Sequence, residues 1–253
     1  VNFLAHLHLA EPTPASWIGN LLPDLTTGPA DPDLHPDVLA GAANHRRVDA
    51  YTDTHPVFAR TRARFREKHG RYSGILTDLF YDHVLARRWD HYHRQPLSDF
   101  IDQVHAAFAE NVRLMPAPMR PITQRLIDQG WLRCYATPQG MQTVLGMMSA
   151  RFTQRLRRPV DLTPAVRDLP DIGESLEADF AEFFPQLIAH TQSAPHAARL
   201  SRLEPPAPPH HAPDRRPTHS TQRINPLSQT HPSRYHPRFH SHTRAAASGP
   251  HNT

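Results

Sequence analysis

The stretch LTDLFYDHVLARRW, residues 76–89, decides how this chain is read. Leu76, Leu79, Phe80, Val84 and Leu85 put apolar surface on more than one side of a helix, leaving little solvent face. Set into that segment are Asp78, Asp82 and His83. Asp78 and Asp82 are four apart, so on a helix they share a face about one turn from each other. Two carboxylates that close in a low-dielectric setting repel unless something positive sits beside them. The partner is either an arginine, such as Arg87, Arg88 or one elsewhere, or a metal ion, for which His83 adds an imidazole.

Outward from this segment the chain reads as helix after helix. Residues 37–53, 74–92, 97–115, 141–156 and 175–192 have helical length and periodic apolar positions, with Pro and Gly punctuating the gaps. No stretch alternates as a strand does, and no Asn-Gly or Asp-Gly hairpin turn appears. The fold class is all-α, with one helical domain over residues 1–196. From residue 197 to 253 Pro, His, Arg, Ser and Thr dominate and no period survives, so that segment is expected to be a disordered tail.

This division reassigns the charge. The tail holds eight Arg against Glu204 and Asp214, a net of +6, whereas the whole chain of 253 residues is +4. The helical part is therefore near −2, and the basic balance belongs to the tail. Nucleic acid is not an expected partner of the helical part; the tail is either a low-complexity extension with no selected role, the favoured reading, or a segment that binds a polyanion or, through its His, metal. Cys134 is the sole cysteine, which excludes a disulfide framework and a thiolate zinc cluster. The opening VNFLAHLHLAEPTP, residues 1–14, has no basic n-region and too short an apolar run for a signal peptide or membrane span. A cytoplasmic location without a membrane partner is the resulting expectation.

Two further segments carry polar groups among apolar neighbours. In NHRRVDAYTDTHP, residues 44–56, His45, Asp49 and Asp53 recur every four residues and drift only about 40° per step around a helix. Arg46 and Arg47 either neutralise these acids or offer a fork to a phosphate. In HLHLAEPTPASWIGNLLPD, residues 6–24, His6 lies in a short apolar segment and Asp24 follows an apolar run. Either is satisfied by a structural role, as a core imidazole or a turn residue, or is a ligand. Three helices thus present acids and imidazoles, as helix bundles do when they build metal sites. Carboxylate and imidazole ligands without thiolate suit Mn²⁺, Fe²⁺ or Mg²⁺. No P-loop, dinucleotide glycine fingerprint, G-x-S-x-G elbow or H-E-x-x-H helix is present, which leaves metal-assisted phosphoester hydrolysis.

NFLAHLHLA (2–10), GNLLPD (19–24), HRRVDAYTDTHP (45–56) and DLFYDHVLARRW (78–89), in this order and spacing, resemble the acyl carrier protein phosphodiesterase family. The resemblance continues through WLRCYATPQGMQTVLGMMSARF and fades near residue 195. It implies an HD-like phosphohydrolase fold, dependence on Mn²⁺, and hydrolysis of holo-acyl carrier protein to the apo form with release of 4′-phosphopantetheine. Carried onto matching positions, it implies metal ligands among Asp24, His45, Asp78, Asp82 and His6, with Asp49 or His83 orienting water and Arg46 stabilising phosphoryl charge. The HD superfamily's usual His-Asp dipeptide stands here in reverse, as Asp82-His83. Acyl carrier proteins are acidic, so the basic run RTRARFREKHGR, with Arg60, Arg62, Arg64, Arg66 and Lys68, is expected either to steer that partner or to be a solvated helix face. Two other readings are an HD-like enzyme acting on a nucleotide or another small phosphoester, and a non-enzymatic protein that binds nucleic acid through its tail.

Overall fold

The structure, a computed structural model, describes residues 1–193, so the expected tail at 197–253 lies outside the described residues. Eleven α-helices follow one another and no strand occurs among the described residues. They are α1 (Phe3–His8), α2 (Pro14–Leu25), α3 (Pro36–Thr54), α4 (Pro56–His69), α5 (Ser73–Arg87) and α6 (Trp89–Tyr92), then α7 (Leu97–Glu110), α8 (Arg120–Asp128), α9 (Trp131–Cys134), α10 (Pro138–Leu156) and α11 (Leu169–Gln192). No described helix is long and apolar enough to cross a membrane.

Local chemistry sets the helix starts. Thr13 and Thr137 stand in extended backbone and accept from the amides of Ser16 and Gly140, while Pro14 and Pro138 occupy the first helical position. A hydroxyl there satisfies an otherwise orphaned N–H, and proline loses nothing because its missing N–H had no partner. The segment expected as one helix over 74–92 is two: α5 ends at Arg87, and Arg88, at φ −109° and ψ 22°, turns the chain into α6. The turn brings Trp89 into the core, where its indole N–H donates to the Gln95 carbonyl at 2.7 Å.

The centre of the molecule is α5, whose residues from Leu79 to Ala86 are all buried. Its Phe80 stacks on Phe65 of α4, and Tyr81 meets Phe58 of α4 and Phe180 and Phe183 of α11. Aromatic rings packed in edge and offset arrangements bury large apolar areas and favour these geometries. On the other side of the molecule α2 and α3 touch backbone to backbone at Gly19 and Gly41. A Cβ at Gly19 would lie 2.2 Å from the Val38 carbonyl oxygen, and one at Gly41 2.7 Å from that of Ser16. This contact sets the middle of α2 against the first half of α3.

Candidate active site

At that crossing α1, α2 and α3 converge on His45. The side chain is buried, and its Nδ1–H donates to the backbone carbonyl of Asn20 at 2.7 Å. Asn20 is itself locked: its amide donates to Ser16 O at 2.9 Å and its Oδ1 accepts from Asn44 at 3.0 Å. A carbonyl partner on Nδ1 fixes the tautomer and turns Nε2 toward whatever lies opposite, the usual arrangement of a metal-binding imidazole. Opposite lie Asp49 Oδ2 at 3.1 Å, one helical turn along α3, and Asp24 Oδ1 at 3.9 Å from the end of α2. His6 of α1 completes the group. Its ring stacks on that of His45 with centroids 3.8 Å apart and planes 15° from parallel, and its Nε2 is 3.2 Å from Asp49 Oδ1.

Two stacked imidazoles cannot both carry a proton at low cost, and the site separates them. Burial, and then the charge of its neighbour, hold His6 below the ordinary histidine range. Burial works against charge on His45 too, but the Asp49 hydrogen bond, Asp24 and the Asn20 carbonyl outweigh it and raise its pKa. Burial likewise opposes ionisation of Asp49, yet the hydrogen bonds from His45 and His6 keep its carboxyl well below the usual range. These neighbours favour a proton on His45 over one on His6. A divalent ion suits the same place: one ligand atom from each of His6, His45 and Asp49 lies within 4.8 Å of the others. The pairing arises across one turn of α3, at i and i+4, and not from an adjacent His-Asp dipeptide.

Asp78, Asp82 and His83 are not part of this group. Asp82 is wholly buried and serves as a collar for the start of α1. Its Oδ1 accepts from the amides of Asn2 and Ala5, both at 3.2 Å, and its Oδ2 from that of Leu4 at 2.7 Å. Burial pushes its carboxyl up to about 7, with these amides pulling the other way. Asp78 accepts from the Val1 nitrogen at 2.6 Å. Main-chain amides are thus the partners that Asp82 meets in the structure, and the sequence pattern did not show them. His83 Nδ1 donates to the Tyr135 carbonyl at 2.6 Å, and burial lowers its pKa. By holding α1, Asp82 positions His6 indirectly.

The basic run of α4 is also partly committed. Arg60 pairs with Asp179 and Glu182 of α11, Arg64 with Asp179, and Lys68 with Asp168 at 2.8 Å. Arg62 and Arg66 remain exposed. Near the cluster, Arg46 is exposed on α3, whereas Arg47 is tied to Asn44 Oδ1 and Thr191 O, each at 2.9 Å. Two participants gave no sequence signal of their own. Asn20 acts through its carbonyl, which any residue has, and Arg151 of α10 reaches the Asp24 carbonyl at 2.9 Å across 127 positions.

The family model described as acyl carrier protein phosphodiesterase matches residues 1–187. An acyl carrier protein phosphodiesterase of Yersinia enterocolitica is 33% identical over 195 residues, covering 76% of this chain and 98% of the relative. One from Serratia proteamaculans is 33% identical over 189 residues, 74% and 96% of the two chains, and one from Salmonella agona is 34% identical over 191 residues, 75% and 96%. No solved structure gives a significant match. From its first residue to within α11, the chain belongs to the acyl carrier protein phosphodiesterase family.

Proposed function

We propose that this protein hydrolyses the phosphodiester joining 4′-phosphopantetheine to the serine of holo-acyl carrier protein, in the cytoplasm, with a divalent cation held by His6, His45 and Asp49 and flanked by Asp24. The observation that carries the reading is the convergence of His6 Nε2, His45 Nε2 and an Asp49 oxygen in a family whose named relatives act on acyl carrier protein. The donor set of two imidazoles and carboxylates without thiolate suits Mn²⁺. When bound, such an ion supplies Lewis acidity toward the phosphoryl oxygens and lowers the pKa of water.

The chain's own residues do the rest. Asn20 holds the His45 ring by its carbonyl, so Nε2 keeps its direction when the cluster loses its proton. Proton and metal compete for that nitrogen, because a ligand atom must be bare. Asp24, whose carboxylate oxygen stands back at 3.9 Å from His45, is the group left to orient the attacking water. Arg46, exposed on the same helix, is the cation that this reading sets against the charge developing on the equatorial phosphoryl oxygens. Water adds to phosphorus, the bond to the serine oxygen breaks, and that oxygen takes up the proton; the products are apo-protein and a phosphomonoester.

The test is to incubate holo-acyl carrier protein with the full chain and Mn²⁺ and follow the protein's mass. Loss of the phosphopantetheine mass is expected from wild type and not from His45→Ala. Hydrolysis of free nucleotides with no change in holo-acyl carrier protein would overturn the reading. A thermal shift provides a readout apart from turnover: Mn²⁺ at a hundred times its Kd stabilises the folded state by about 2.7 kcal/mol. That stabilisation should vanish in His45→Ala.

A further inference from the structure

Beside the cluster, a cleft of about 510 Å³ opens between the end of α2, the loop that follows it and the first half of α3. This volume lies within the roughly 300–1,000 Å³ typical of small-molecule sites. Leu22, Leu39 and Ala42 form its floor, and Pro23, Pro29 and Pro32 much of its wall. Proline rings offer apolar surface with no N–H and little freedom, so that wall is largely preformed. Among the lining residues one side chain is charged, that of Arg46.

The cleft and the cluster share α3. At 100° per residue, Ala42 lies about 20° around the helix from Asp49 and about 40° from Arg46. The cleft therefore runs along α3 toward its N-terminus from a cation that stands next to His45. Its lining and charge suit a ligand with an anionic head and an uncharged tail that carries apolar groups.

We infer that this cleft receives the pantetheine arm of the substrate, with Arg46 on its phosphate and the arm's geminal methyl groups against Leu39 and Ala42. The identity of the occupant rests on the phosphodiesterase reading above; the need for an anionic head and neutral tail does not. Thr26 supplies a polar contact suited to one of the arm's amides. Its hydroxyl donates to the Leu22 carbonyl at 2.8 Å and so presents its oxygen as an acceptor. The serine side of the phosphodiester then points away from the cleft, toward the carrier protein.

The test uses free 4′-phosphopantetheine as the probe, titrated calorimetrically into the full-length protein with Mn²⁺, with inorganic phosphate as the comparison. Two cleft-filling variants, Leu39→Trp on the helix and Ala30→Trp in the loop, are measured beside wild type. Circular dichroism melts identify a variant that has failed to fold, and the other then carries the measurement. Wild type should bind 4′-phosphopantetheine at least tenfold more tightly than phosphate. Either folded variant should lose at least tenfold of that affinity while binding phosphate unchanged, and should raise KM for holo-acyl carrier protein by a similar factor. Wild-type affinity for 4′-phosphopantetheine in a folded Trp variant, or no preference for it over phosphate, would overturn the inference. Trp-sensitive binding without turnover of holo-acyl carrier protein would instead keep the subsite and remove the hydrolysis. Turnover and binding that ignore both substitutions would do the opposite.

Discussion

Replacing Asp82 by alanine removes the side chain seated on three amides at the start of α1. Those donors belong to buried residues, so water cannot take the carboxyl's place. A hydrogen bond to a charged or strongly polar acceptor contributes about 1.5–3 kcal/mol, and a buried donor left unpaired costs about 1–3 kcal/mol. The Leu4 bond at 2.7 Å is the strong one and the two at 3.2 Å are weaker, which places the loss near 4 kcal/mol. In a domain of this size that corresponds to a fall of about 8–16 °C in melting temperature. Asp82→Asn keeps one acceptor oxygen and turns an NH₂ group toward donors, so about half the loss is expected. The pH dependence adds a second signature. The folded carboxyl sits at about 7 and the unfolded one at about 4, so wild type loses stability as pH rises between these values. The Asn variant lacks this contribution and keeps that of Asp78, whose carboxyl burial pushes up to about 6. Melts in the presence and absence of Mn²⁺ check the reasoning: the collar predicts a metal-independent loss of stability in both variants. If Asp82→Asn keeps wild-type stability and loses Mn²⁺ affinity, Asp82 is a ligand and the collar argument fails.

Asp179 accepts from Thr61 and pairs with Arg60 and Arg64, and although burial opposes its ionisation, these partners hold its pKa below the ordinary carboxylate range. Asp179→Asn should cost about 2 kcal/mol at pH 7, and denaturant titrations should show the difference shrinking as pH falls through and below about 4; a gap that persists there would contradict the ionic account. Gly41→Ala places a methyl group against the backbone of α2 and should destabilise by about 1–3 kcal/mol while weakening Mn²⁺ binding, because the Asn20–His45 contact spans the same crossing. Unchanged melting would show that the helices can part freely. Charge reversal of Arg62 and Arg66 together should slow turnover of holo-acyl carrier protein chiefly at low salt, where steering is unscreened; an identical salt profile would remove α4 from the encounter.

Much of this molecule is readable from local pattern. The α3 helix, expected over 37–53, runs from Pro36 to Thr54, and its His45–Asp49 pair follows from a spacing of four. His6 and Asp24 were accessible as polar residues in apolar surroundings. The role of Asp82 was not, for a physical reason: its partners are main-chain amides about 80 positions away. Amides have no residue type, so the sequence shows two acids on an apolar helix without showing what answers them. The same holds for α4, whose arginines look free until α11 folds back and brings Asp179 and Glu182 across more than 110 positions. Arg88 ends α5 one residue before Trp89 because the indole is needed inside, a choice made by packing and not by helix propensity.

The glycine contact between α2 and α3 also constrains how this lineage can change. A Cβ at Gly19 is blocked by the backbone of Val38 and Gly41, and a Cβ at Gly41 by that of Ser16 and Gly19. Neither obstacle is a side chain, so no second substitution can make room for the first. The two positions form a locked pair: no order of single steps leads away from it while the helices keep their spacing. A side chain at either position has to be met by a shift of the helices themselves, and the stability lost in Gly41→Ala measures the cost of that shift.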